Sequence, residues 1–410
     1  MPSKTSFLLA AALVGLLLRL AFGLGYWVHQ PLTRDEAEYL SLARSLAAGH
    51  GFVYDAALQA GPVEPFGRAP GYPLWLALTG TGNAAASSVP TSVKVVQAIT
   101  SVAGVFLIGA ITRRLAGTSA AAVAAALAAV YPPLVWMSAY ALSEAVFWPL
   151  ALLAAWTFDR SLEANAAGRR SLILGLAAGA LLGAAVLVRP ATSIALLMGS
   201  AWLAWRRRPG LLAAVAIGAV LVIGPWSARN LAHYGRFVLV ATEGGVTFWT
   251  GNNALARGEG DMAANPEIKR ASQALKRSHP ELNEESMEPL YYREALGWIG
   301  SHPVDWTILE ARKLFFLVVP IGPSYRGHSP LYFWASVLSY ALALPLAIAG
   351  AWRLRGRFSR TPGFWLIAGS AVVVCLVFFP QDRFRVPLID SALVICAGVA
   401  LGGAREEPAS

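Results

Sequence analysis

Two adjoining stretches decide how this chain is read: TSFLLAAALVGLLLRLAFGLGYWV at residues 5–28 and PLTRDEAEYL at residues 31–40. The first is an apolar run long enough to cross a bilayer, which takes about 20 residues of helix. The second sets the adjacent acids Asp35 and Glu36 directly after it. The run continues past Arg19 with no clear small-residue cleavage site, so it reads as an uncleaved first span rather than a signal peptide. Arg19 lies inside that span. A charge there costs about 2.5–3.5 kcal/mol on insertion scales, so Arg19 should face protein or water. Its helix-packing role and a substrate role are both open.

Further runs of the same kind follow. They fall at residues 93–111, 119–135, 145–158, 172–188, before Arg206, and at 211–226, 331–352, 364–379 and 388–401. Of 410 residues, 56% are hydrophobic and 14% charged, against about 25% charged in a soluble domain. The expected fold class is therefore an all-α polytopic membrane protein with about ten transmembrane helices. With both termini cytoplasmic, Arg113/Arg114, Arg169/Arg170, Arg206 to Arg208 and Arg353 to Arg360 all fall on one side. That is the positive-inside pattern, and it accounts for the net charge of +10 without nucleic acid.

Three divisions follow. Residues 1–227 form an N-terminal transmembrane catalytic module that includes an outer loop at 29–92. Residues 228–329 form an extracytoplasmic or interfacial segment, and residues 330–410 the C-terminal transmembrane helices. Within the middle segment, residues 236–253 read as a short hairpin or extended turn. Helices are expected at 266–278, 288–299 and 304–318. Cys375 and Cys396 read as buried small hydrophobes, and no histidine stands at a metal-ligand spacing.

One side collects the chemistry. Thr33 and Glu36 fit a capping box, predicting a helix from there to about Ala48, along the interface and ended by Gly49. The box explains Glu36 without chemistry. It leaves Asp35 at the helix start, where the dipole favours the ionised form. Asp35 is thus the stronger candidate base, with Glu36 beside it. Glu144, after Ser143 in a different outer loop, is the second candidate acid. One carboxylate could take a proton from an acceptor hydroxyl while the other orients that hydroxyl or stabilises developing positive charge. Glu144 is equally explained as a solvated acid at a helix start. Arg68, in the turn Gly67-Arg68-Ala69-Pro70-Gly71-Tyr72, and Arg383 and Arg385, in a turn between prolines, are candidates for holding a phosphate, as guanidinium does bidentately. Lys313 and Arg189 rank behind them. Interfacial arginines snorkelling to headgroups are the alternative. Tyr72, Trp249, Asn252 and Asn253 are candidate sugar contacts by stacking and amide hydrogen bonding; backbone needs explain that turn as well. No metal-ligand spacing is present, and a divalent cation on paired acids stays open.

These motifs, in order, resemble the C-type (family 39-like) integral membrane glycosyltransferases, which include protein O-mannosyltransferases and the aminoarabinose transferase acting on lipid A. The resemblance rests on Asp35-Glu36-Ala37-Glu38-Tyr39, Gly67-Arg68-Ala69-Pro70-Gly71-Tyr72-Pro73, and Tyr131-Pro132-Pro133 leading to Leu142-Ser143-Glu144. Pro225-Trp226 with Arg229-Asn230, Gly251-Asn252-Asn253 and Arg383-Phe384-Arg385-Val386-Pro387 complete it. It implies a sugar donor on a polyprenyl phosphate and inverting transfer on the extracytoplasmic side of an inner or plasma membrane. It further implies Asp35 as base, Glu144 as second acid and Arg68 near the donor phosphate. The hydrophilic segment is short for the family's larger members, and no further domain is read after the last span. Both favour an envelope lipid, glycolipid or polysaccharide acceptor over a protein. Membrane lipids are the expected surroundings and nucleic acid is not an expected partner. A flippase for a lipid-linked sugar is the alternative; it should place polar groups near the bilayer midplane. A non-catalytic assembly partner, in which Asp35 and Glu144 are dispensable, is the third reading.

Overall fold

The computed structural model describes residues 4–27, 30–54, 67–81, 88–163, 168–260, 265–321 and 329–403. Among them there is helix and no strand. The order is α1 (Lys4–Leu20), continued by a π-turn (Ala21–Tyr26), then α2 (Arg34–Ala47), α3 (Gly71–Leu78), α4 (Thr91–Ala116), α5 (Thr118–Val130) and α6 (Pro132–Trp136). Next come α7 (Glu144–Glu163), α8 (Arg169–Val188), α9 (Ser193–Trp205) and α10 (Pro209–Tyr234). The middle segment holds α11 (Gly244–Gly251), α12 (Pro266–Arg277), α13 (Glu284–Ser301) and α14 (Pro303–Val318). The chain finishes with α15 (Pro330–Leu354), α16 (Pro362–Val377), α17 (Asp382–Arg385), a second π-turn (Val386–Asp390) and α18 (Ser391–Gly402).

The ten apolar runs all form helix, but they are not ten equal spans. Six helical stretches among the described residues are long and apolar enough to cross a membrane: Phe7–Tyr26, Thr91–Ala116, Arg169–Val188, Pro209–Tyr234, Pro330–Leu354 and Asp382–Gly402. Helices α5 and α16 are apolar but shorter. The reason for α5 is local: Pro132 and Pro133 have no N–H to continue the ladder, so the chain turns at Tyr131.

That break explains Arg19. The carbonyls of Ala128 and Ala129 would bond the amides of residues 132 and 133, which are prolines. The Arg19 guanidinium donates to them instead, Nη1 to Ala129 O at 3.1 Å and Nη2 to Ala128 O at 3.4 Å. Nε donates to Ser101 Oγ at 2.9 Å. Arg19 is 1% exposed, so it faces protein, as its cost in lipid requires. It ties α1 to α4 and α5.

Small residues bring the spans together. A Cβ on Gly179 of α8 would collide with Val215 O of α10, and one on Gly218 of α10 with Leu176 O of α8. Backbones in contact are how helices associate where lipid competes equally for apolar side chains. Alanines do the same for α5, whose Ala120, Ala124 and Ala128 are fully buried.

The middle segment has its own small core of Trp249, Ile268, Met287, Leu290, Tyr291 and Ala295. The hairpin expected at residues 236–253 is corrected here: residues 244–251 are helix α11. Thr247 and Thr250 bond back to the carbonyls of Glu243 and Val246 within it. Asn252 and Asn253 donate to Phe248 O at 2.9 Å and Trp249 O at 2.6 Å, closing its last turn.

Candidate functional site

The site begins with the N-terminus of α2. Thr33 caps it: Glu36 N donates to Thr33 Oγ1 at 3.3 Å, and Thr33 N donates to Glu36 Oε2 at 2.9 Å. Glu36 also accepts Trp27 Nε1 at 3.3 Å and Ala141 N at 2.9 Å. It is fully buried, joining the end of the first span, α2 and the turn before α7. Helical rotation of about 100° per residue turns its neighbours elsewhere. Asp35 and Glu38 share the open face, with side chains 26% and 23% exposed.

Arg68 comes to that face from the loop before α3. Its Nη2 lies 2.6 Å from Asp35 Oδ1 and 2.5 Å from Glu38 Oε2, and its Nε 3.2 Å from Glu243 Oε1. The guanidinium also lies over the Tyr39 ring, 5.1 Å from its centre. The loop is held from outside by Thr242 N donating to Gly67 O. It is held from inside at Gly71, where a Cβ would stand 2.8 Å from Leu187 O at the end of α8.

Arg383 closes the other side. It donates through Nη1 to Asp35 Oδ2 and through Nε to Glu144 Oε1 at 2.7 Å. Glu144 is 2% exposed, at the start of α7, and takes a second guanidinium, Arg189 Nη1 at 2.6 Å. Arg189 lies between the Phe147 and Phe384 rings, 5.4 and 5.1 Å from their centres. Asp35 thus stands between two arginines from opposite ends of the chain, one of which also holds Glu144.

Charge follows geometry. Burial by itself would raise the Asp35 carboxyl; Arg383 and Arg68 overcome it and hold the group well below the usual carboxylate range. Asp35 is therefore ionised at neutral pH.

Five of the residues singled out in the sequence, Asp35, Arg68, Glu144, Arg189 and Arg383, meet in one cluster. Glu38 and Glu243 were missed. Glu38 was legible as the helical i+3 neighbour of Asp35; nothing local marks Glu243. The remaining candidates stand elsewhere. Arg385, two residues from Arg383, is buried against Asp390 and the Tyr340 ring. Lys313 is fully buried and donates to Glu310 Oε1, Asn252 Oδ1 and Leu376 O, a bond set that fastens α14 to α16. Tyr72 donates to Gln97 Oε1 at 2.7 Å. Trp249 belongs to the small core, and Asn252 and Asn253 to the end of α11. Among the described residues no group of three or more His, Cys, Asp or Glu is placed to hold a metal ion.

A family model described as dolichyl-phosphate-mannose-protein mannosyltransferase matches residues 70–228, which include Glu144 and Arg189. No curated protein matches by sequence. Among solved structures, the chain is similar to the archaeal oligosaccharyltransferase AglB from Archaeoglobus fulgidus, in complex with an inhibitory peptide and a dolichol-phosphate. The TM-score is 0.58 and the identity 16%, over 97% of this chain and 50% of that one. It is also similar to ArnT from Cupriavidus metallidurans bound to undecaprenyl phosphate, with TM-score 0.56 and 16% identity over 97% of this chain and 60% of that one. The chain thus spans half to three-fifths of the length of these structures. The chain shares the fold of these two membrane proteins over nearly its whole length.

Proposed function

We propose that the chain is an inverting glycosyltransferase of the plasma or inner membrane, moving a sugar from a polyprenyl-phosphate donor to a hydroxyl on the extracytoplasmic side. The observation that carries this is the Arg383 guanidinium shared between Asp35 and Glu144, with Arg68 on the far side of Asp35. An ionised carboxylate flanked by two cations suits a displacement at a glycosyl phosphate. Asp35 takes the acceptor hydroxyl's proton as the oxygen attacks the anomeric carbon. The bond from that carbon to the phosphate oxygen breaks, and polyprenyl phosphate leaves. Arg383 and Arg68 meet the charge that develops on the leaving phosphate. A single displacement by the acceptor oxygen inverts the anomeric centre. An incoming phosphate also competes with Asp35 for its guanidiniums, and each one it takes raises the proton affinity of the base. Glu144, kept charged by Arg383 and Arg189, orients Arg383.

The dolichol-phosphate and undecaprenyl phosphate named with the two similar structures support a polyprenyl-phosphate donor. The acceptor class proposed is an envelope lipid, glycolipid or polysaccharide. With both termini cytoplasmic, the basic loops lie on the cytoplasmic side and the Asp35 cluster faces out.

The test is sugar transfer by purified protein in detergent, from a panel of radiolabelled polyprenyl-phosphate sugars to total envelope lipid. Wild type is expected to transfer, and folded Asp35→Asn to lose transfer. Full activity in Asp35→Asn removes Asp35 as base. No turnover of any donor by wild type removes the transferase reading.

A further inference from the structure

Arg383 reaches the site from a turn with unusual backbone geometry. Residues Val386–Asp390 form a π-turn, closed by i→i+5 hydrogen bonds. Arg385 and Asp390 stand five apart across it. In an α-helix five residues overshoot one revolution by about 140°, which would separate the two side chains. In the π-turn they meet: Arg385 Nε lies 3.0 Å from Asp390 Oδ1, and Nη2 donates to Oδ2 at 3.3 Å. Both are buried, Arg385 at 2% exposure and Asp390 at 0%. Tyr131, at the proline break after α5, donates its hydroxyl to Asp390 Oδ2 at 3.1 Å. The Arg385 guanidinium stacks on Tyr340 of α15, 4.3 Å from the ring centre.

Further hydrogen bonds hold the turn. Ser391 Oγ donates to Pro387 O at 2.7 Å and accepts from Trp148 Nε1 at 2.8 Å. Pro387 has no N–H for the carbonyl of Arg383, four residues back, and that carbonyl accepts Arg189 Nη1 at 3.4 Å. Tyr131, Trp148 and Tyr340 thereby tie the turn to the end of α5, to α7 and to α15, and Arg189 ties it to Glu144.

We propose that Asp390 is a positioning residue for Arg383: its buried i, i+5 pair with Arg385 holds the outer end of the last span in π-register, and that register sets the Arg383 guanidinium between Asp35 and Glu144. This rests on the reading of Arg383 as a donor-phosphate cation. Losing the pair frees the turn to relax toward α-register. That rotates residues 382–385 relative to α18 and draws Arg383 off the two acids.

The test is a double-mutant cycle read by binding. Wild type, Asp390→Asn, Arg383→Gln and the double variant are titrated in detergent with undecaprenyl phosphate, and thermal midpoints are recorded beside affinities. Asp390→Asn is expected to weaken binding about tenfold in the wild-type background and to add less than about twofold once Arg383 is gone, since residues acting through one another are not additive. Additive losses, or wild-type affinity in Asp390→Asn, overturn the proposal. Wild-type affinity in Arg383→Gln overturns the donor-phosphate reading and the positioning role with it, and separates that failure from failure of Asp390 alone. Should Asp390→Asn not fold, Tyr131→Phe removes one bond to the same carboxylate. A smaller loss with the same dependence on Arg383 is then expected, and a loss independent of Arg383 overturns the proposal.

Discussion

Helix α7 carries a charged cluster at each end, and the two are built differently. Its 20 residues separate them by about 30 Å. At the Glu144 end, carboxylates and guanidiniums are shared: Arg383 holds two acids, Arg68 holds three, and Asp35 takes two arginines. At the far end Glu163 is shared by Arg114 and Arg160, but Asp159 and Arg114 each also bond a backbone group. Asp159, 1% exposed, accepts Gly363 N at 2.6 Å at the first turn of α16. Arg114 pairs with Glu163 at 2.8 Å and donates to Arg360 O at 3.1 Å. Shared, partly open ion pairs can exchange partners for a phosphate at little net loss. A buried carboxylate capping a helix has no substitute. The first arrangement suits chemistry and the second suits holding helices together.

Four experiments would break or sharpen this contrast, the largest effect first. Asp35→Asn should lower transfer on the order of 10²–10⁴-fold, the range of a lost general base, with the thermal midpoint in detergent nearly unchanged. Arg383→Gln should lower kcat/KM for the donor about 10²–10³-fold. Arg383→Lys should recover little of it, because one ammonium cannot span two carboxylates as a planar fork does. Asp159→Ala reverses the pattern: an expected loss of about 1–3 kcal/mol of stability from an unsatisfied buried amide, read by thermal unfolding, with the folded protein's specific activity kept. Equal effects on activity from Asp35→Asn and Asp159→Ala would erase the distinction between the two ends. The smallest effect belongs to Glu243→Gln, a few-fold change in donor KM measured by initial rates, since that pair is 41% exposed on the acid side and solvent-screened.

The pH dependence sharpens the same point. The folded value of Asp35 is depressed below its unfolded value near 3.9. Its ion pairs therefore contribute fully above that unfolded value, and the contribution is lost as pH falls through the depressed one. The kcat/KM profile, which reports the free enzyme, should show no acid limb between about pH 7 and pH 5. An acid limb centred near pH 6 would mean that the arginines do not hold Asp35 ionised.

Much of this was legible one residue at a time. Thr33 and Glu36 announce a cap, and the cap accounts for Glu36 while leaving Asp35 outside it. Pro132-Pro133 announces a break, although not that Arg19 would occupy the two carbonyls it strands. The hairpin expected around Trp249 failed because short polar side chains at Thr247, Thr250, Asn252 and Asn253 bond back into a helical turn, an option that turn-forming residues leave open in sequence. Lys313 and Arg385 carried the right charge in the right region, yet their partners, Glu310 and Asp390, turn them into the packing. Charge type is visible in a sequence; the direction a side chain takes is not.

By itself, the sequence determined the helices, the apolar faces, the cap of α2, the proline breaks and the segregation of basic loops from the acids. Each of these depends on a residue and its neighbours within a turn or two. Only the tertiary structure decided which guanidinium meets which carboxylate. Asp35 and Arg383 lie 348 positions apart, and their meeting requires that every span between them pack at close range. Contacts of that kind are set by the summed packing of many helices, to which no single stretch of sequence contributes enough to be read alone.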